Sequence, residues 1–186
     1  MKLSIRLRNA LVFAFLMLSM LIPAKMGMGQ VMNDWKTFTP AGTAIGGLSG
    51  VRGVEAGPNG DLYVSDSDNN RVLRLDSNGT WSVIGTPGTG VGQFMSPRGL
   101  EFDADGNLWV ADCVNHRLQY LDSTGTWHAI GEYGTGPGQF INPVSVKFHG
   151  NDMWVCDGGN SRLQRWKDRL TWIVVGEPGT SPGQFV

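Results

Sequence analysis

The chain has 186 residues, 41% of them hydrophobic, with 27 glycines, seven tryptophans and only 17% charged residues. That is enough for one domain with a buried core, and a glycine- and tryptophan-rich, charge-poor chain points to strands and tight turns rather than helices. The formal net charge is −1, and it falls to −5 once the basic first 29 residues are set aside, which argues against phosphate-backbone binding as the main task.

In chain order, the first 29 residues stand apart. Lys2, Arg6 and Arg8 precede an apolar run of 13 residues, Ala10–Ile22, too short for an ordinary membrane span. Pro23 and small residues follow. This order predicts a secretory signal peptide over 1–29, released after Gly27-Met28-Gly29 so that the mature chain begins at Gln30. The alternative is an uncleaved N-terminal anchor, which is the one membrane attachment the sequence suggests. The expected location is secreted, periplasmic or extracellular. Residues 30–186 carry eleven basic and sixteen acidic residues, net −5, so no nucleic-acid partner is expected.

A period of 45 to 46 residues runs through this mature part. Trp35, Trp81, Trp127 and Trp172 follow one another at 46, 46 and 45. GTGVGQF (Gly88–Phe94) returns as GTGPGQF (Gly134–Phe140) and GTSPGQF (Gly179–Phe185). GDLYVSD (Gly60–Asp66) returns as GNLWVAD (Gly106–Asp112) and NDMWVCD (Asn151–Asp157). Repeats of this length mean a stacked or radial array.

Each unit divides into four short strands. In the middle copy they are RGLEFD (Arg98–Asp103), LWVAD (Leu108–Asp112), RLQYL (Arg117–Leu121) and WHAIG (Trp127–Gly131). Asp-Gly, Asn-Gly and Thr-Gly fall where hairpin turns require positive φ. The second strand is almost continuously apolar, as expected of a strand covered on both faces. Four antiparallel strands, radially repeated, predict an all-β chain, a β-propeller of four-stranded antiparallel blades. Blades are expected near 47–85, 93–131 and 139–176. Residues 34–39 read as the outer strand of a ring-closing blade, and 183–186 as the start of a further blade. About three blades make an incomplete ring, so remaining blades or a second copy are expected to close it.

From Gly90 onward, GVGQFMSPRGLEFDADGNLWVADCVNHRLQYL resembles the NHL repeat, and Asn115-His116-Arg117-Leu118 nearly spells the family signature. The resemblance covers Asp34 to Val186 and implies a propeller, typically of six blades. The third copy departs from it: Val144-Ser145 replaces Arg-Gly, one residue is deleted near His149, and the turn at Asp168-Arg169-Leu170 lacks glycine.

DCVNHRLQYL (Asp112–Leu121) places an acid, a thiol and an imidazole within five residues, which suggests chemistry. The repeat argues for architecture instead. Asp66/Asn69/Arg71, Asp112/Asn115/Arg117 and Asp157/Asn160/Arg162 recur in all three copies, whereas Cys113 and His116 do not. The recurring trios are expected to be structural corners, each Asp accepting backbone N–H bonds of its own tight loop and pairing with Arg. The recurring tryptophans are expected to pack between blades. Gly53 and Gly99 are expected where neighbouring inner strands crowd the axis.

Copy-specific residues are the better binding candidates. Arg52 and Arg98 open the innermost strands beside the channel mouth, where the third copy has Val144, and two guanidinium groups there suit a carboxylate or phosphate. Glu55, Glu101 and Lys147 share one position on the inner strands, but their changing charge suggests no fixed role. His116, His128 and His149 are scattered and read as surface residues, so no metal site is expected. No cofactor is evident, and no Ser-His-Asp order or nucleophile motif suggests a catalytic residue. Cys113 and Cys156 flank equivalent strand ends in adjacent blades, a candidate disulfide in an oxidising compartment. Asn78-Gly79-Thr80 is a glycosylation sequon on an exposed turn. These features favour a binding scaffold for a protein, peptide or glycan at the channel mouth. The alternative that the resemblance implies is a metal-dependent, lyase-like propeller enzyme whose catalytic residues lie in blades absent from this chain.

Overall fold

The computed structural model describes Ile45 and residues 47–185, which belong to one compact unit, Thr39–Val186. The expected signal peptide, the strand at 34–39, Trp35 and Val186 lie outside the described residues.

Three antiparallel meanders follow one another. The first is β1 (Val51–Ala56), β2 (Leu62–Asp66), β3 (Arg71–Leu75) and β4 (Trp81–Pro87), with the two-residue β5 (Gln93–Phe94) pairing parallel to the end of β4. The second is β6 (Pro97–Phe102), β7 (Leu108–Asp112), β8 (Arg117–Leu121) and β9 (Trp127–Ile130). The third, which departs most from the repeat in sequence, is nonetheless a full blade: β12 (Pro143–His149), β13 (Asp152–Asp157), β14 (Arg162–Lys167) and β15 (Thr171–Val175). Between blades the linkers fold into short parallel pairs, β10 (Glu132–Tyr133) with β11 (Gln139–Phe140), and β16 (Glu177–Pro178) with β17 (Gln184–Phe185). These pairs were not legible in the sequence.

The inner strands β1, β6 and β12 lie side by side across the blades. Their glycines make this possible. A Cβ on Gly53 would stand 2.5 Å from the carbonyl oxygen of Arg98, and one on Gly99 would stand 2.8 Å from Cα of Ser145. Strand β7 is buried along its whole length, as its continuous apolar run requires. Between the blades lie two apolar clusters. Val72, Phe94, Leu100, Leu108 and Val110 fill the first, and Trp109, Ala111, Leu118, Phe140, Val146, Met153 and Val155 the second.

The outer tryptophans join neighbouring blades. Trp127 opens β9, meets the linker ring of Phe94 edge-on at 5.0 Å, and donates its indole N–H to the carbonyl of Ile84 in the preceding blade at 2.8 Å. Trp172 repeats the contact with Phe140 at 5.4 Å and stacks on Trp166. Edge-on aromatic pairs of this kind stabilise by about 0.5–1.5 kcal/mol beyond area burial. The turn without glycine holds Asp168 and Arg169 at φ of 50° and 57°. Arg169 reaches from it to Asp103 and Asp105 of the neighbouring blade at 3.0 and 2.9 Å.

Candidate functional site

The three recurring acids lie at one end of the blades, where β2, β7 and β13 stop. Asp66, Asp112 and Asp157 are each wholly buried, so each carboxylate requires donors. Asp112 accepts from Met95 N at 2.9 Å, from Asn115 Nδ2, from Arg117 Nε at 2.9 Å and from Gln119 Nε2 at 2.9 Å. Asp157 accepts from Ile141 N, Asn160 Nδ2, Arg162 Nε and Gln164 Nε2 at 2.8 to 3.0 Å. Asp66 accepts from Ser49 N, Asn69 Nδ2 and Arg71 Nε at 2.6 to 2.9 Å.

The backbone donor differs from the expectation. Met95, Ile141 and Ser49 belong to the linker that enters each blade, not to the tight loop after the second strand. Each Asp therefore ties its blade to the incoming chain. The rest of each trio does the same. Asn115 Nδ2 donates to Gly88 O at 2.9 Å, and Arg117 Nη2 to Gly90 O and Gln93 O at 2.6 and 2.9 Å. Asn160 and Arg162 repeat this on Gly134, Gly136 and Gln139.

Sequence reasoning missed two groups in this network. Gln119 and Gln164 are fully buried and bridge the Asp to the linker: their Oε1 accepts from Gly92 N and Gly138 N at 2.8 and 2.9 Å, and their Nε2 donates to Gln93 O and Gln139 O. The recurring Leu-Gln pair was the available signal. The second group is His116. Its Nδ1 accepts from Asn142 N at 3.1 Å, as Asn70 Oδ1 accepts from Ser96 N at 2.7 Å one blade earlier. His116 is thus a fastening between blades rather than a bystander. It also lies edge-on to Tyr133 at 5.0 Å. His128 remains near the surface, hydrogen-bonded to Asp122 at 2.7 Å and stacked on Tyr120. The Asp122 carboxyl is held below its ordinary range by hydrogen bonds from Thr124, His128 and the Thr126 backbone.

Arg52 and Arg98 behave otherwise. Strand register places them at the same end, since Val51 lies opposite Asp66 and Pro97 opposite Asp112. Eight arginines are described. Arg71, Arg74, Arg117, Arg162, Arg165 and Arg169 are each ion-paired to aspartate. Arg52 and Arg98 have no ion pair among the described residues, and the buried Nε of Arg98 has no hydrogen-bond partner there. An unsatisfied buried donor costs about 1–3 kcal/mol, more when charged. Both guanidinium groups act on the thiol of Cys113. Burial pushes that thiol above its ordinary value, while Arg98 and Arg52 pull it down and Asp112 opposes them. Cys113 and Cys156 are both free, and burial raises the Cys156 thiol also.

Further along the inner strands, Glu55, Glu101 and Lys147 come together across three blades. Lys147 Nζ is bonded to Glu101 Oε2. Burial, with Glu101 adding to it, lifts the half-buried Glu55 carboxyl to about 7, against the pull of Lys147. No group of three or more His, Cys, Asp or Glu side chains suited to a metal ion occurs among the described residues.

Blades of four antiparallel strands about shared inner strands define a β-propeller. The NHL repeat family model matches residues 48–75 and 94–120. None of the curated proteins matches the chain. Among solved structures it is similar to a streptogramin B lyase, at 16% identity over 72% of this chain and 42% of that one, TM-score 0.57. It is also similar to an auxiliary nutrient binding protein from Bacteroides thetaiotaomicron, at 19% identity over 71% and 37%, TM-score 0.55. A third is a gluconolactonase from Xanthomonas campestris, at 17% identity over 63% and 44%, TM-score 0.53. The chain spans less than half the length of each of these proteins. At such identities the likeness is one of fold.

Proposed function

We propose that this propeller is a binding scaffold for a protein, peptide or glycan, and that the ligand presents an anionic group to Arg52 and Arg98 at the axial end. The observation that carries this reading is the contrast among the described arginines: six are ion-paired to aspartates, and the two at the inner-strand openings have no ion pair among the described residues. Guanidinium groups left without an acid at a rim fit a carboxylate or phosphate well. The corner trios do not compete for this role, because their donors and acceptors are taken up by the linkers.

The test is a ligand screen on the full-length chain with acidic peptides, sulfated and carboxylated oligosaccharides and neutral counterparts. Binders are then measured against Arg52→Ala/Arg98→Ala, with His128→Ala as a distant control. Losing a charge-assisted contact of about 1.5–3 kcal/mol per group should weaken binding at least about tenfold. Unchanged affinity in a double variant of normal thermal stability would rule out this placement.

A further inference from the structure

The surroundings of the two arginines change from blade to blade, and the change has a direction. In the first blade the loop after the second strand carries Asp68, whose backbone N–H donates to Ser49 O at 3.2 Å and whose carboxylate accepts from the Ser49 hydroxyl at 3.3 Å. In the second blade the same two positions are Val114 and Met95, joined by Val114 N to Met95 O at 3.1 Å. In the third they are Gly159 and Ile141, joined at 2.7 Å. The position of Arg52 and Arg98 is there taken by Val144. Ile141 and Val144 lie against the bare backbones of Gly159 and Gly158. Thus the rim is charged over the first blade, mixed over the second and apolar over the third.

Met95 and Val114 are 36% and 44% exposed, and Val51, next to Arg52, is 46% exposed. Val114 N is bonded to Met95 O, and Ser67 Oγ of the first corner donates to Pro97 O, the residue before Arg98. The corners that carry the apolar and cationic groups therefore adjoin.

We infer that the ligand is a peptide carboxyl terminus with an apolar last residue, its carboxylate between Arg52 and Arg98 and its side chain over Met95, Val114, Ile141 and Val144. This inference rests on the anion reading above and narrows it. Two guanidinium groups with no ion pair among the described residues match one carboxylate, which Arg engages in a bidentate fork. A polyanion needs many cations along its path, and Asp68 stands at the charged side of this rim. A small free acid would cover little of Val51, Met95 and Val114, which stand 36–46% exposed, whereas ligand sites for small molecules enclose most of their ligand. A peptide brings further contact area along the rim.

The experiment uses the full-length chain and fluorescence anisotropy. The probe is a short fluorescein-labelled peptide ending in leucine with a free carboxylate. Its comparison probes are the same peptide amidated, the same peptide ending in serine, and dextran sulfate and N-acetyl-leucine as competitors. The expected result is binding of the free acid at least about tenfold tighter than of the amide, and several-fold tighter than of the serine peptide. Met95→Gln/Val114→Ser, two exposed positions, should remove the leucine preference and keep the acid preference.

Failure to bind the free acid, or equal binding of acid and amide, overturns the inference. Displacement by dextran sulfate at charge-equivalent concentrations points to a polyanion and overturns it as well. N-acetyl-leucine competing as well as the peptide assigns the surface to small apolar acids and overturns the peptide assignment. Loss of binding in Arg52→Ala/Arg98→Ala, with no effect of Met95→Gln/Val114→Ser, leaves the anion reading standing and removes this one. Full binding by both variants removes both.

Discussion

At the scale of single residues, Asp112 shows how a buried charge becomes a fastening. Its carboxylate is out of water, and it is tolerable only because four donors converge on it. Gln119 is the less obvious member: one side chain satisfies the carboxylate, a linker N–H and a linker carbonyl. The first blade dispenses with it. Leu73 stands at the equivalent position, buried, and the linker residue matching Gln93 is Gly47. Replacing Gln119 by Leu should therefore not be neutral in the second blade, although leucine is native to the first. It strands Gly92 N–H and one lone pair of Gln93 O, at a cost of about 1–3 kcal/mol. Denaturant titration of Gln119→Leu beside Asp112→Ala checks this. Asp112→Ala should cost at least as much, because it leaves Arg117 without its acid. A Gln119→Leu protein as stable as the parent would show that the bridge is dispensable.

At the scale of elements, the linkers and tight loops turn three independent hairpin stacks into neighbours. The residue before the third strand sits in the left-handed region in each blade, at φ of 54° for Asn70, 57° for His116 and 48° for Ser161. Asparagine tolerates this conformation best, and the side chains of Asn70 and His116 each receive an N–H from the next blade. His116→Asn should therefore keep the contact and leave stability within about 0.5 kcal/mol. His116→Ala loses it, at about 1 kcal/mol. Equal melting temperatures for the two variants would remove the fastening role. The strands themselves were readable because continuous apolar runs, Gly turns and a 45–46 residue period agree with one another. The edges of β7 and β8 fall where the sequence put them. The partners of the corner acids were not readable. Period and residue type locate Asp, Asn and Arg on a loop, but which backbone they reach depends on how the preceding linker folds back over the blade. The short parallel pairs that fix that path are two residues long, below the length at which side-chain alternation carries a signal. For the same reason the changing charges at Glu55, Glu101 and Lys147 suggested no common role, while the structure brings them together through inner-strand adjacency.

At the scale of the whole molecule, that trio makes stability depend on how three blades share charge around the axis. Glu55 on β1 faces Glu101 on β6, and Glu101 is held by Lys147 on β12. The Lys147 ammonium is committed to Glu101, so burial and the second carboxylate dominate at Glu55 and raise it from 4.5 to about 7. In the folded chain this carboxyl keeps its proton to higher pH than in the unfolded chain. Below about pH 4.5 both states are protonated and the group contributes its full stability. As pH rises from there through 7, the unfolded state ionises first and the folded state then carries a poorly solvated charge, so stability is lost over that window. Asp103 and Asp152 act in the opposite direction. Their carboxyls are lowered, Asp103 by hydrogen bonds from Trp109 and Asn107 that outweigh its burial, Asp152 by those from the Asp168 backbone and Arg165. Their stabilisation is lost only as pH falls below the ordinary carboxylate range. The window from pH 4.5 to 8 therefore isolates Glu55 from them. Because Glu55 is half-exposed, solvent screening reduces its effect to about 1 kcal/mol, which is about 2–4 °C in Tm for a chain of this size. Glu55→Gln, which cannot ionise, should melt at nearly the parent temperature at pH 4.5 and about that much higher at pH 8. A difference between parent and variant that stays constant across this range would mean that the carboxyl titrates alike in both states and that the inner strands do not hold it as the geometry requires.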